Sequence, residues 1–391
     1  MSWDIANLFA DDTVEDERFR AEVRDWVQAN CPPALRHRRR RVDPPELKPW
    51  HRRLFERGWI APHWPKRYGG MGATLTQQII LFEEIARAGA PTPYPHGLNF
   101  IGPIIIEAGT EEQKARHLPS ILSGDATWCQ GYSESGAGSD LASLETRAVP
   151  ESEHFVVNGH KMWTTNGHFA DWMFALVRTD PAAKPRHAGI SMLLIDMRTP
   201  GVTVRPIQTL KGDAEFAEEF FDDVRVPKEN LLGGLNQGWR IAGMVLGGER
   251  FTTGHPRYAL VQLNQARQLA RETGAWDNPG FRHRLTALEI DLVAFMAYYR
   301  HAARLHAARA ASASMAPVIK IAGGGLAQRS SELLLEAAGP LGPASDDIML
   351  AGGAVNVAGE VFEMRRLSVG SGTLEINRNI IAKRVLGLPD G

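Results

Sequence analysis

The sequence predicts an α+β protein in which a helical segment, a β segment and a second helical segment follow one another along the chain. Three observations predict it. Apolar residues recur at helical spacing up to about residue 125, short apolar runs between turn residues fill about 126–230, and helical spacing returns from about 237 onward. The expected domains are therefore 1–125, 126–236 and 237–391. With 391 residues, 43% of them hydrophobic, the chain is long enough to bury a large core and to form two or three domains.

In the first segment, residues 15–28 carry Phe19, Val23, Trp26 and Val27 on one helical face. Residues 75–88 repeat the pattern with Ile79, Leu81, Phe82 and Ile85. Thr110-Glu111-Glu112-Gln113 reads as a helix start with early acids, and Pro91, Pro93 and Pro95 break the chain between helices. In the middle segment, Phe155-Val156-Val157, then Asn158-Gly159, then Lys161-Met162-Trp163 predicts a hairpin with an Asn-Gly turn. Residues 174–177, 190–195, 202–204 and 220–226 are further short strands, a spacing that suits a small barrel or sandwich. In the last segment, 285–311 and 316–338 are long helices. The second contains Gly323-Gly324-Gly325, each costing roughly 1 kcal/mol against alanine, so the three are expected to mark close helix packing.

Composition removes several classes of function. The net charge of −1 implies no general affinity for nucleic acid. The one basic run, Arg36-His37-Arg38-Arg39-Arg40-Arg41, reads as a solvated loop. Cys31 and Cys129 are too few for a disulfide framework and show no zinc-type spacing. The opening Met-Ser-Trp-Asp-Ile-Ala-Asn lacks a signal pattern, and no apolar run is long enough to span a bilayer. The expectation is a soluble, cytoplasmic protein.

Two middle-segment motifs carry the chemistry. Gln130-Gly131-Tyr132-Ser133-Glu134-Ser135-Gly136-Ala137-Gly138-Ser139-Asp140 is small, glycine-rich and hydroxyl-rich, so its backbone can approach a ligand and donate N–H groups to it. Lys161-Met162-Trp163-Thr164-Thr165-Asn166-Gly167 offers an aromatic plane beside two hydroxyls. Together they describe a site for a flat ring with hydrogen-bonding edges and a phosphate tail, as in a flavin. No Gly-x-Gly-x-x-Gly is present, so a Rossmann fold is not supported. Both motifs resemble the flavin-binding signatures of the acyl-CoA dehydrogenase family. The resemblance runs over nearly the whole chain, to Asn377-Arg378-Asn379-Ile380-Ile381, and looks closest to the bacterial pimeloyl-CoA dehydrogenase large-subunit type. It implies an N-terminal helical domain, a middle β-barrel domain and a C-terminal four-helix bundle.

The resemblance also implies roles. Gln130, Tyr132 and Ser133 would lie along the edge of the FAD ring, with Gly138 and Ser139 by its pyrophosphate and the substrate's pantetheine. Trp163 would pack on the ring and Thr165 would bond near its N5, where reduction places negative charge. Ser135 stands where the family has proline after the glutamate, which loosens the loop and removes no ligand.

The implied reaction is α,β-dehydrogenation of an acyl-CoA thioester to the trans-2-enoyl-CoA, with electrons passed to an electron-transfer flavoprotein. It needs a carboxylate base of raised pKa. The family's usual glutamate position is Ser371 here, in Gly370-Ser371-Gly372-Thr373-Leu374-Glu375, and serine is not basic enough. Other branches carry the base before an arginine on an earlier helix, where this chain has Glu249 and Arg250. Glu249 is the expected base; an exposed glutamate paired with an arginine such as Arg257 is the bland alternative. Ser371 keeps a backbone role toward the thioester oxygen. Ser139, Arg250 and Gly372 are carried over as substrate contacts, and Thr373, Glu375 and Gly339 as cofactor contacts.

The family's Arg-x-x-Phe-Gly, which reaches a neighbour's FAD, is missing from Arg271-Glu272-Thr273-Gly274-Ala275-Trp276. Its lost contacts are worth about 1.5–3 kcal/mol each, and a homologous small subunit in a heterotetramer is expected to supply them, with a homo-oligomer as the alternative. Two other readings stay open: a non-catalytic subunit on this fold, and an oxygen-using oxidase or monooxygenase. The small residues Gly370, Ser371 and Gly372 favour a branched, ring-bearing or dicarboxylic acyl group.

Overall fold

Helix boundaries in the first third of the chain are set by capping chemistry. The computed structural model describes residues 13–36, 42–307, 315–344, 347–350 and 353–389. The helices are α1 (Val14–Asn30), α2 (Pro44–Glu56), α3 (Leu75–Arg87), α4 (Gly102–Ala108) and α5 (Glu111–Ser123). Thr13, Thr74 and Thr110 each accept the N–H three residues on, while Asp16, Gln77 and Gln113 reach back to the threonine N–H. These reciprocal bonds satisfy donors that a helix start leaves unpaired. The arginine-run residues 37–41 lie outside the described residues.

The buried face of α1 is the expected one: Val23 and Val27 are fully enclosed, with Phe19 and Trp26 packed beside them. In α3 the face is shifted. Ile80, Leu81, Glu84 and Ile85 are buried, whereas the expected Ile79 and Phe82 are half-buried. The shift brings Glu84 beneath Arg20 and Arg24, at 3.2 and 2.9 Å. A buried carboxylate needs such partners.

The middle of the chain forms an eight-stranded mixed sheet from β1 (Trp128–Gly131), β2 (Arg147–Pro150), β3 (His154–Thr165), β4 (Trp172–Arg178), β5 (Ile190–Asp196), β6 (Val202–Ile207), β7 (Phe216–Pro227) and β8 (Leu231–Leu232). Its order is β6-β7-β3-β2-β4-β5-β8, with β1 parallel to β4. The expected Asn-Gly hairpin is not there. Asn158 and Gly159 lie inside β3, and the turn before it falls one strand earlier, where Glu151 N–H donates to the His154 carbonyl over 2.8 Å. Gly159 is instead a bulge at φ 152°, where register against β7 shifts and where a Cβ would press on Thr146. Asn158 spends its side chain on Asp223 of β7, in two bonds of 3.0 Å.

Strands β4 and β5 are apolar on both faces, and this joins helices to sheet. Phe174, Leu176, Met192 and Leu194 share a core with Trp50, Trp64 and Ile105 of the helical segment. The alternate residues Met173, Ala175, Leu193 and Ile195 pack with Val157 and Phe221 on the opposite face.

A further run of helices follows: α6 (Gly238–Thr253), α7 (Arg257–Thr273), α8 (Pro279–Ala307) and α9 (Met315–Ala338). After them come a small hairpin of β9 (Ile348–Leu350) and β10 (Gly353–Val355), then α10 (Val357–Arg365) and α11 (Leu374–Arg384). The described chain divides after Leu246 into two compact units, one holding α1–α5 with the sheet and the other α7–α11. The second unit's core is built from Leu263, Leu269, Phe281, Leu292, Ile319 and Leu334. Residues 308–311 of the expected helix lie outside the described residues. No helix among the described residues is long and apolar enough to cross a membrane.

The glycine triplet of α9 packs closely only in part, which corrects the reading of all three as contact points. A Cβ on Gly323 would overlap the Gly254 backbone, and one on Gly324 would stand 3.3 Å from the Leu367 carbonyl, whereas Gly325 faces open space. Gly323→Ala is therefore expected to cost about 1–3 kcal/mol of unfolding free energy, and Gly325→Ala to add up to about 1 kcal/mol. Urea titration of the two variants checks the opposite signs.

Candidate active site

The two middle-segment motifs meet through main-chain and ionic bonds. Gln130 sits on β1 opposite Phe174, and the chain then leaves the sheet through Tyr132 and Ser133. Tyr132 is buried edge-on against Phe174. Glu134 and Ala137 exchange backbone bonds of 3.0 and 3.1 Å, closing a tight loop over Ser135 and Gly136. Met162 N–H donates to the Ser133 carbonyl over 3.0 Å, so the second motif pairs with the end of the first. Gly138 and Ser139 are exposed beyond it, and a Cβ on Gly136 or Gly138 would meet nothing. This is open surface with backbone close to it, as a bound ligand requires.

Lys161 locks this pairing. Its side chain is 0% exposed and donates to the Tyr132 carbonyl over 3.1 Å and to Glu134 over 2.7 Å. Burial pulls the ammonium down to about 8, against the opposing pull of Glu134. Burial also pushes Glu134 up, but the Lys161 ammonium and bonds from Glu145 and Thr146 leave it below the usual carboxylate range. Neither residue was expected as a site residue. The Lys161 position, inward on an alternating strand, was the available signal.

Trp163 stands out on conformation. It has φ 63° at a bulge between Met162 and Thr164, and its side chain is 56% exposed. A large residue rarely adopts that backbone region, and strain of this kind collects at functional sites. Thr165 follows, its carbonyl accepting the Tyr94 hydroxyl over 2.8 Å. Tyr94 was not expected, because its signal is distant in sequence. A cleft of about 470 Å³ runs beside the glycine loop, lined by Ser135, Gly136, Ser143, Arg147, His160 and Arg186 among others.

The remaining expected residues belong to the second unit or to the end of α6. Glu249 and Arg250 lie in the last turns of α6. The side chain of Glu249 is outside the described set. The Arg250 guanidinium reaches to 3.9 Å from where a Cβ on Gly372 would stand, so the end of α6 adjoins the turn at residues 370–373. Ser371 and Gly372 have φ 59° and 84°, a left-handed pair. Thr373 caps α11 by accepting Ile376 N–H over 3.2 Å. Asn377, fully buried, donates to the Gly372 and Thr373 carbonyls over 3.0 and 2.8 Å and holds the turn. Asn377 is a second unexpected contributor. Glu375 is exposed, 3.5 Å from Arg378, and Gly339 has φ 55° in the short turn after α9. Arg271, at the lost arginine motif, lies 4.9 Å over the Trp276 ring.

Comparison with known proteins decides the family. Models described as "Acyl-CoA dehydrogenase, N-terminal domain", "middle domain" and "C-terminal domain" match residues 13–125, 129–224 and 236–386. The chain belongs to the acyl-CoA dehydrogenase family. It is an oxidoreductase with that family's helical, sheet and helical segments. It is 36% identical over 390 residues to acyl-CoA dehydrogenase IpdE1 of Mycobacterium tuberculosis (strain ATCC 25618 / H37Rv), covering 95% of this chain and 98% of that one. Among solved structures, "Tcur3481-Tcur3483 steroid ACAD" superposes with a TM-score of 0.87 at 30% identity, over 97% of this chain and 99% of that one. The ChsE4-ChsE5 complex of M. tuberculosis gives 0.84 at 30%, over 98% and 100%.

In this acyl-CoA dehydrogenase, Lys161→Met leaves Glu134 buried without its cation. The expected loss is about 3 kcal/mol or more, and the double variant with Glu134→Gln should recover part of it. Thermal and urea unfolding of the three proteins measure both.

Proposed function

We propose that the chain catalyses FAD-dependent α,β-dehydrogenation of an acyl-CoA thioester to the trans-2-enoyl-CoA, with an electron-transfer flavoprotein as acceptor. The observation that carries this is Trp163, an exposed indole held at positive φ within the second motif, which pairs with the end of the first at Met162 and Ser133. The residues fit a flavin: an aromatic face at Trp163, the backbone and hydroxyl groups of Gln130 to Ser133, Thr165 at the edge, and open glycines at 136 and 138 for a phosphate tail. When bound, FAD supplies the hydride acceptor. The cleft beside Arg147 and Arg186 offers cations to the phosphates of a CoA thioester.

The chain's own residues then do the following. Glu249 on α6 takes the substrate's α-proton as general base. The left-handed turn at Ser371 and Gly372 turns its backbone toward the thioester, and the Ser371 N–H stabilises the oxygen where charge develops. Arg250 stands beside this turn, and Asn377 fixes its shape by donating to the Gly372 and Thr373 carbonyls. Thr373 and Glu375 open α11 next to the turn, with Gly339 as a further cofactor contact. A ring-bearing acyl group is the favoured substrate: the residues around the missing C-terminal glutamate are small, and a structural relative is titled a steroid ACAD. The missing arginine motif and the likeness to the ChsE4-ChsE5 complex favour a homologous partner chain. Ser371 in the family's base position favours a second reading, a non-catalytic subunit.

Glu249→Gln separates the two readings. Loss of general-base catalysis lowers turnover on the order of 10²–10⁴-fold with cofactor retained; unchanged turnover would leave the non-catalytic reading. Trp163→Gly removes both the indole and the backbone strain. The protein without cofactor should unfold at unchanged or higher free energy, by about 1 kcal/mol, while FAD binding, followed by flavin fluorescence, is lost.

A further inference from the structure

Behind the strand that presents Trp163 and Thr165 lies a carboxyl group that the proposed reaction does not use. Glu219 is on β7, directly opposite Lys161 of β3, and is 0% exposed. Its Oε2 accepts the Thr164 hydroxyl over 2.6 Å. Its Oε1 has no hydrogen-bond partner and points at the Gly167 Cα, where a Cβ would collide with it. Among the described residues no cation lies within 4 Å of it, because Lys161 is committed to Glu134 and the Tyr132 carbonyl. A buried carboxylate with one hydrogen bond and no counter-ion is costly to ionise. Thr164 is the residue between Trp163 and Thr165, at the bulge itself, so the carboxyl holds the segment that meets the flavin face.

We propose that Glu219 is a positioning residue that keeps a proton at neutral pH, and that the uncompensated charge its ionisation would bury behind β3 distorts the Met162–Thr164 bulge and weakens flavin binding by Trp163–Thr165. The inference rests on the flavin reading of that site. The groups around the carboxyl are Lys161 on β3, Glu134 beyond it, Glu218 beside it on β7 and the Cys129 thiol on β1. Burial drives Glu219 up to about 8; the Thr164 bond lowers it, Glu218 raises it and Lys161 lowers it. The sign follows from proton binding. The folded protein holds this proton from the usual 4.5 up to about 8, where the unfolded chain has lost it. Stability is therefore fullest at low pH and declines as pH rises through that window, whereas the bulge geometry follows the folded protein's own proton and holds until about pH 8.

Glu219→Gln keeps the shape and an acceptor for Thr164 but cannot ionise. Lys161 titrates in the same range and is present in both proteins, so the difference between them isolates Glu219. FAD is titrated onto both proteins from about pH 6.5 to about pH 9. The expected result is a dissociation constant that rises about tenfold or more for the wild type and stays flat for the variant, a change of about 1.4 kcal/mol. Identical profiles in the two proteins overturn the proposal. If neither protein binds FAD at any pH, the coupling of Glu219 to flavin binding in this chain by itself is overturned, and the flavin reading passes to the complex with the partner chain. Amide hydrogen exchange of 161–167 at about pH 9, compared at matched pH, then decides the remaining part: faster exchange in the wild type upholds the proton-held bulge, and equal exchange overturns it. A protonated-carboxyl infrared band present in the wild type at neutral pH and absent from the variant is the direct signature, and its absence from both overturns the proposal.

Discussion

The candidate cofactor face depends on one buried ion pair. Lys161 and Glu134 lie 27 positions apart in sequence, yet their 2.7 Å contact ties strand β3 to the glycine loop. The same ammonium holds the Tyr132 carbonyl, and the same carboxylate holds the amides of Glu145 and Thr146. Burying two charges is expensive, and the cost is met only where every lone pair and proton has a partner. Here the partners are three backbone groups from two segments, at Tyr132 and at Glu145–Thr146. The pair therefore specifies a loop conformation more than it adds stability.

Left-handed backbone recurs at the positions that matter. Trp163 and Asn166 in the first unit, and Ser371 with Gly372 in the second, all have φ between 58° and 84°. Each is held by neighbours that leave no alternative: the Met162–Thr164 bulge, the Asn166 amide on the Glu215 carbonyl, and the Asn377 side chain on the 372 and 373 carbonyls. Non-glycine residues in this region cost on the order of 1–3 kcal/mol, and a surrounding structure over-determines them. Each of these stretches is thus pre-shaped within its own unit before any ligand arrives, which lowers the ordering cost of binding.

Fold and family were legible because they are written locally. Caps such as Thr110 with Gln113, the face of Val23 and Val27 on α1, and the double-sided apolar runs of β4 and β5 are short-range patterns. The glycine-rich and tryptophan motifs are also contiguous. Asn158-Gly159 misled for a physical reason: the same freedom that suits a two-residue turn suits a bulge, and pairing of β3 with β7 on both sides of it chose the bulge. On α3 the expected Leu81 and Ile85 are buried but Ile79 and Phe82 are not; Ile80 and Glu84 take the remaining places, Glu84 bonded to arginines 60 and 64 residues away, which no local pattern reports.

By itself the sequence determined the order of segments, the helix start at Thr110 and the family, and it named the residues proposed to meet cofactor and substrate. Only the tertiary structure decided how those residues are held. Lys161 with Glu134, Glu219 with Thr164, Tyr94 on Thr165 and Asn377 beneath the Ser371 turn are all supports. Burial turns a lysine or a glutamate, ordinary on a surface, into a costly group that must be paired or neutralised. Burial depends on strands and helices from distant parts of the chain closing over the same point, and that closure has no local sequence signal.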